Sequence, residues 1–224
     1  DRRVFRRTHE ALASDVSLIA SEFLAGFQTV RRIDRPAVSI FGSARVVEGS
    51  ETYERARATG RAFAEHGFAV VTGGGPGVME AANRGACDAG APSIGFNITL
   101  VHEQQPNAYS TPELTFRFQY FAIRKMHLAM RANALVVFPG GFGTLDELFE
   151  ILTLKQTGKL SPIPIVLFDR SYWESLLDLQ QLVTEGMIAA EDMRLFKYAD
   201  DPEAAWDIIK GQLQRVSEAR IDAP

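Results

Sequence analysis

Two carboxylates, one guanidinium and two glycine-rich turns hold most of the chemical potential of this sequence. The longer turn is Phe138-Pro139-Gly140-Gly141-Phe142-Gly143-Thr144-Leu145-Asp146-Glu147. It follows the apolar run Ala134 to Phe138 and precedes Leu148, Phe149, Ile151 and Leu152, whose spacing fits the inner face of a helix. Where a strand turns into a helix, the first backbone N–H groups have no partner inside the helix. The helix dipole adds partial positive charge there, so an anion is attracted. Gly140, Gly141 and Gly143 let the main chain approach a phosphate closely, Thr144 adds a hydroxyl donor, and Pro139 stiffens the entry. Glu147 falls one turn inside the helix. Two readings fit it: a capping-box partner of Thr144, or a reacting carboxylate beside the bound anion.

The second turn is Thr72-Gly73-Gly74-Gly75-Pro76-Gly77-Val78-Met79-Glu80, again leading from strand to helix, with Pro76 suited to the first helical turn. Val78 stands where G-x-G-x-x-G needs its last glycine and no P-loop lysine is present, which counts against NAD and ATP chemistry. Gly74 and Gly75 are candidate phosphate contacts. Glu80 either complements the helix dipole or touches a ligand. Ser43, in Gly42-Ser43-Ala44-Arg45, lies at the carboxyl edge of the first strand, where ligands of α/β folds bind. Ordinary turn chemistry accounts for it equally well. Arg124, Lys125, His127 and Arg131 lie on one helix, where Arg124 and His127 share a face and Lys125 points elsewhere. A guanidinium at Arg124 can hold a carboxylate and a phosphate in fixed geometry; the alternative is a solvated basic helix.

The elements that must position these groups alternate. Thr8 to Arg32 reads as an amphipathic helix through Leu12, Val16, Ile19, Phe23, Phe27 and Val30, packed on the core or on a partner subunit. Its basic flanks, Arg2-Arg3, Arg6-Arg7 and Arg31-Arg32, read as solvated ends. Strands are expected at Ala37–Phe41, Phe68–Val71, Ser93–Ile98, Ala134–Phe138, Ile163–Phe168 and Leu195–Tyr198, with an aromatic stretch at Leu114–Tyr120. Helices are expected at Tyr53–His66, Phe121–Asn133 and Tyr172–Glu185, after each glycine turn, and from Pro202 with Trp206, Ile209 and Leu213. Leu100 to Pro112 is a polar connection long enough to serve as a lid or binding loop. The fold class is α/β, a Rossmann-like doubly wound parallel sheet flanked by helices, expected as a single domain over residues 1–224 with its N-terminal helix at about 8–32.

The 224 residues are 46% hydrophobic and 23% charged, enough for a full core. A net charge of -4 gives no basic footprint for nucleic acid, and no apolar run is long enough to span a bilayer. The expected partner is a small molecule and the expected location cytoplasmic. Cys87 is the only cysteine; within Ala81-Ala82-Ala86-Cys87 it reads as a small core residue, and an intrachain disulfide is excluded. His9, His66, His102 and His127 show no ligand spacing, so no metal site is expected, nor is any cofactor. No G-x-S-x-G elbow supports a serine hydrolase.

On Gly73 to Asn83, Arg124-Lys125 and Pro139 to Glu147, the sequence resembles the LOG family, the cytokinin riboside 5′-monophosphate phosphoribohydrolases often mislabelled lysine decarboxylases. The similarity runs from about Ala37 to Tyr198. Met79-Glu80 in place of Met-Gly, Phe121-Ala122-Ile123 in place of Met-His-Glu, the Thr111-Pro112-Glu113-Leu114 segment and the added N-terminal helix resemble the longer bacterial branch. The resemblance implies a nucleoside 5′-monophosphate substrate, AMP-like or a cytokinin nucleotide, cleaved at its N-glycosidic bond to free base and ribose 5-phosphate. It places the catalytic glutamate at Glu147 and the catalytic arginine at Arg124. The phosphate would lie against Gly140, Gly141, Gly143 and Thr144, with Gly74 and Gly75 opposite, Ser43 and Lys125 nearby and Glu80 on the ribose hydroxyls. A homodimer or higher homo-oligomer is also implied, with the helices of Phe121 and Leu148 as one seam. A non-catalytic nucleotide or cofactor carrier is the alternative. Lysine decarboxylation has no support, since Lys125, Lys155 and Lys159 sit in no pyridoxal-phosphate motif.

Overall fold

A seven-stranded, all-parallel sheet organises the chain, in the order β4-β3-β2-β1-β5-β6-β7. The structure is a computed structural model and describes residues 9–99 and 105–221. The elements, in chain order, are α1 (His9–Val30), β1 (Ala37–Phe41), α2 (Glu51–Glu65), β2 (Ala69–Thr72), α3 (Val78–Asp88), β3 (Ser93–Ile98), β4 (Phe116–Phe118) and α4 (Phe121–Arg131). After these come β5 (Ala134–Val137), α5 (Phe142–Gln156), β6 (Ile165–Phe168), α6 (Arg170–Leu176), α7 (Leu179–Thr184), β7 (Lys197–Ala199) and α8 (Pro202–Ile221). Thr8, the arginines before it, His102 and the first part of the polar connection lie outside the described residues.

The central strands are short apolar runs because both faces of the sheet are covered. All residues of β1, β2, β5 and β6 are buried. Alternation along β1 sends Ala37 and Phe41 into the core layer with Ile123 and Leu128 of α4, Leu148 and Ile151 of α5 and Trp173 of α6. Val38 and Ile40 go to the other layer, with Tyr53 and Phe63 of α2, Val78 and Ala81 of α3 and Ile209 of α8. The chain winds outward from β1 to β4, then returns to the opposite side of β1 as β5. Strand order therefore reverses between β1 and β5, which opens a crevice at their carboxyl ends.

Two glycines bring α2 and α3 unusually close. A Cβ on Gly85 would stand 2.0 Å from the Arg57 carbonyl oxygen, and one on Gly60 would stand 2.3 Å from that of Ala82. Helix α1 divides by burial. Its second half packs on α4, where the rings of Phe23 and Phe27 meet the fully buried His127 at centroid distances of 5.2 and 5.1 Å. Leu12, Val16 and Ile19 in its first half stay exposed. The buried Glu22 accepts the backbone N–H groups of Gln119 and Tyr120, placing a carboxylate at the N-terminus of α4.

Three expectations change. The stretch Tyr172–Glu185 is two helices, because Asp178 caps a new one by accepting from Gln181 N at 3.0 Å. Pro76 precedes the N-cap Gly77 and is not in the first helical turn. Cys87 is exposed, since it lies about 100° around α3 from the inward-facing Ala86. Among the described residues, no helix is long and apolar enough to cross a membrane.

Candidate active site

Both glycine turns sit at the crevice beside β1, and Ser43 ties them together. Its N–H donates to the Pro139 carbonyl and its own carbonyl accepts from Val78 N–H, each at 3.0 Å. The Ser43 hydroxyl accepts from Arg45 N at 3.1 Å, which is the turn chemistry that the residue type suggests.

Helix α5 starts at Phe142 with Gly141 as N-cap and no side chain capping it. The Thr144–Glu147 capping box is thus not formed: Thr144 is the third helical residue, and Glu147 lies in the second turn. The first-turn N–H groups have no partner inside the helix. Nothing lies within 4 Å of where a Cβ would stand on Gly141 or Gly143, so the main chain faces open space. Gly140 is held from below. A Cβ there would sit 2.1 Å from Thr144 Oγ1, and its carbonyl accepts from Tyr172 Oη at 2.7 Å.

Glu147 is 6% exposed, and its carboxylate accepts from Arg124 Nη2 at 3.1 Å. Helices α4 and α5 supply one partner each, so the pair forms only in the folded chain. Burial pushes the Glu147 carboxyl up to about 7, against the opposing pull of Arg124 and then Lys125. Burial also pulls the Arg124 guanidinium down, with Glu147 opposing it. Among the described residues, the buried Arg124 Nε has no hydrogen-bond partner. An orphan donor of that kind costs about 1–3 kcal/mol and calls for a functional explanation. Lys125 pairs with Asp146 at 2.9 Å and with Glu150 at 2.8 Å, so its charge is taken up by carboxylates of α5. With His127 buried and Arg131 Nη2 donating to the carbonyls of Ile33 and Arg35, α4 is not a solvated basic helix.

The second turn is built differently from expectation. Gly74 adopts φ 66°, and its N–H donates to Thr72 Oγ1 at 2.9 Å, so it has no free donor for a phosphate. Thr72 in turn donates to Asn83 Oδ1 at 2.6 Å, and Asn83 donates to Ser93 Oγ at 2.8 Å. This buried chain supports the turn from beneath. The neighbouring Gly73 lies next to the other half of the site, where a Cβ would stand 3.3 Å from Arg124 Nη1. Glu80, in the first turn of α3, is oriented by Tyr53 Oη, which donates to it at 2.9 Å. Sequence reasoning singled out neither Tyr53, Asn83, Tyr172 nor Asn107. Of these, only Asn107 carried a local signal, as the polar member of the Pro106-Asn107 turn.

The family model described as possible lysine decarboxylase matches residues 79–209, more than half of the chain. The chain belongs to this family, the LOG family of the resemblance. A cytokinin riboside 5′-monophosphate phosphoribohydrolase of Oryza sativa subsp. japonica is 30% identical over 138 residues, covering 61% of this chain and 57% of that protein. A protein of the same name from Rhodococcoides fascians is 27% identical over 157 residues, 68% of this chain and 78% of that one. Among solved structures, the molybdenum cofactor carrier protein of Chlamydomonas reinhardtii superposes with TM-score 0.59 at 25% identity, over 81% of this chain and 99% of that one. The Rossmann-like fold is thus shared with a carrier protein.

Proposed function

We propose that this LOG-family protein hydrolyses the N-glycosidic bond of nucleoside 5′-monophosphates, releasing the free base and ribose 5-phosphate. The observation that carries the reading is the buried Arg124–Glu147 pair, 3.1 Å apart, one turn inside the uncapped N-terminus of α5. The names of the rice and Rhodococcoides relatives point to the same chemistry.

In this reading the 5′-phosphate sits on the first-turn N–H groups of α5, with Gly141 and Gly143 leaving it room and Thr144 adding its hydroxyl. As the bond to the base lengthens, positive charge grows on the ribose. The Glu147 carboxylate steadies that charge and orients the water that adds to the anomeric carbon. The base leaves with the bonding electrons and takes up a proton, while the water that adds to the anomeric carbon gives one up, so one water is consumed per bond broken. Arg124 keeps Glu147 aligned and supplies positive charge on the leaving side. Glu80, oriented by Tyr53 Oη, binds the ribose hydroxyls in this reading. Incubation with AMP and with adenosine tests the reading: adenine is expected from AMP alone, and equal cleavage of adenosine would remove the phosphate cradle from the mechanism.

A carrier function is the second reading, favoured by the likeness to the Chlamydomonas protein. It predicts nucleotide binding with no base released.

The proposal extends to a homo-oligomer. Leu148 faces the core, but Phe142 is 92% exposed, and Phe121, Met126, Met130 and Phe149 are exposed on α4 and α5. Apolar surface of that kind commonly marks an interface. Sedimentation is expected to give at least twice the chain mass; a monomer at micromolar concentration would overturn it.

A further inference from the structure

Residues 105–111 run as a strap over the second glycine turn, and Asn107 is its point of attachment. Asn107 N–H donates to the Gly74 carbonyl at 2.9 Å. Its side-chain Nδ2 donates to the Gly75 carbonyl at 3.1 Å and to Asn83 Oδ1 at 2.9 Å, while Oδ1 accepts from Tyr109 N at 3.1 Å. The Gly74 carbonyl also accepts from Asn97 Nδ2 at 3.2 Å. The backbone N–H of Asn107 thus holds Gly74, while its side-chain amide holds Gly75 and the buried Thr72–Asn83–Ser93 chain beneath the turn. Tyr109, two residues on, lies under the Arg84 guanidinium at 5.0 Å, so the strap is anchored at a second point.

The turn has little freedom to choose its own height. Gly74 is pressed against β3, where a Cβ would stand 3.1 Å from Gly95 Cα, and a Cβ on Gly73 would stand 2.8 Å from Met79 Sδ and 3.3 Å from Arg124 Nη1. The carbonyls that Asn107 holds and the glycine that has no room for a side chain beside Arg124 and Met79 belong to the same three residues. From this geometry we infer that Asn107 is a positioning residue: by holding Gly74 and Gly75, it sets where the Arg124 guanidinium lies beside Glu147. It acts through Arg124 and does not touch the reacting atoms. The inference rests on the hydrolase reading for its kinetic test alone.

Asn107→Ala and Asn107→Asp both remove the side-chain donors, and the second keeps the acceptor for Tyr109 N. Both are expected to lower kcat on AMP by about 10–100-fold, as misplacement of about 1 Å does, with KM little changed because the phosphate is held by the other turn. In the Arg124→Ala background, Asn107→Ala is expected to add almost nothing, because residues that act through one another are non-additive. Full additivity would overturn the inference. A second measurement needs no turnover. The carboxyl titration of Glu147, followed by carbon NMR in the full chain, is expected to move upward in Asn107→Ala and likewise in Gly73→Ala, which displaces Arg124 from the turn side. Lys125 on α4 and Asp146 and Glu150 on α5, which also face the carboxyl, are untouched by either change. An unmoved titration in both folded variants would overturn the inference even if the wild-type protein releases no base. Base release by the wild type with an unmoved titration would leave the hydrolase reading standing and remove Asn107 from it.

Discussion

Glu147→Gln is expected to cut adenine release from AMP by about 10²–10⁴-fold, the range lost with a group that handles charge or a proton in the transition state. The amide keeps the shape of the side chain and can still meet Arg124, so the fold and the affinity for ribose 5-phosphate should persist. What disappears is the negative charge beside the sugar. The pH profile gives the same argument a sign. Burial raises the Glu147 carboxyl to about 7, so the group is protonated below that value and charged above it. Because the proposed mechanism uses the charged form, kcat/KM should be level above about pH 7 and fall roughly tenfold per unit below it. The second ionisation of the substrate phosphate, near about 6, adds a lower limb. The variant should retain only that lower limb. A Glu147→Gln enzyme with the wild-type rate, or a wild-type profile flat through pH 7, would take Glu147 out of the chemistry.

Gly85→Ala is expected to be the most destabilising of the small substitutions. Alanine is the better helix former by about 1 kcal/mol, so an exposed site would gain from the change. Here the added methyl would stand 2.0 Å from the Arg57 carbonyl and 2.7 Å from Arg61 N, both backbone atoms that no side-chain rotation can move. Helices α2 and α3 must part, and overpacking of that kind costs roughly 1–3 kcal/mol. At about 2–4 °C per kcal/mol for a chain of this size, the melting temperature should fall by roughly 2–12 °C. Gly211→Ala on α8, where nothing lies within 4 Å of the new methyl, is the control and should leave it unchanged or slightly higher. Equal melting temperatures for the two variants would show that α2 and α3 are not in the tight contact described.

Local signals in the sequence reached the alternating elements and stopped at the contacts between them. Ser93–Ile98 is a strand with the expected bounds, because a β-branched and apolar run between turn residues leaves few alternatives. Thr144 and Glu147 show the limit. Their spacing matches a capping box, yet Glu147 pairs with an arginine 23 residues earlier in the chain, a contact only the assembled sheet can create. Gly74 shows it again. A glycine in a strand-to-helix turn suggests a phosphate donor, whereas its N–H is taken by Thr72, two residues before it. The aromatic stretch around Phe116 became an edge strand because β3 offered it a parallel partner. Asn107 lay in a polar loop whose composition says nothing about what the loop grips.

The main chain of Ser43 is stitched to Pro139 on one side and to Val78 on the other, while β1 pairs along its length with both β2 and β5. The two halves of the sheet are consequently riveted at the mouth of the crevice and cannot swing apart like a clamshell. Under the proposed function, the nucleotide is therefore expected to enter and leave from above the strand ends, with no hinge between the halves.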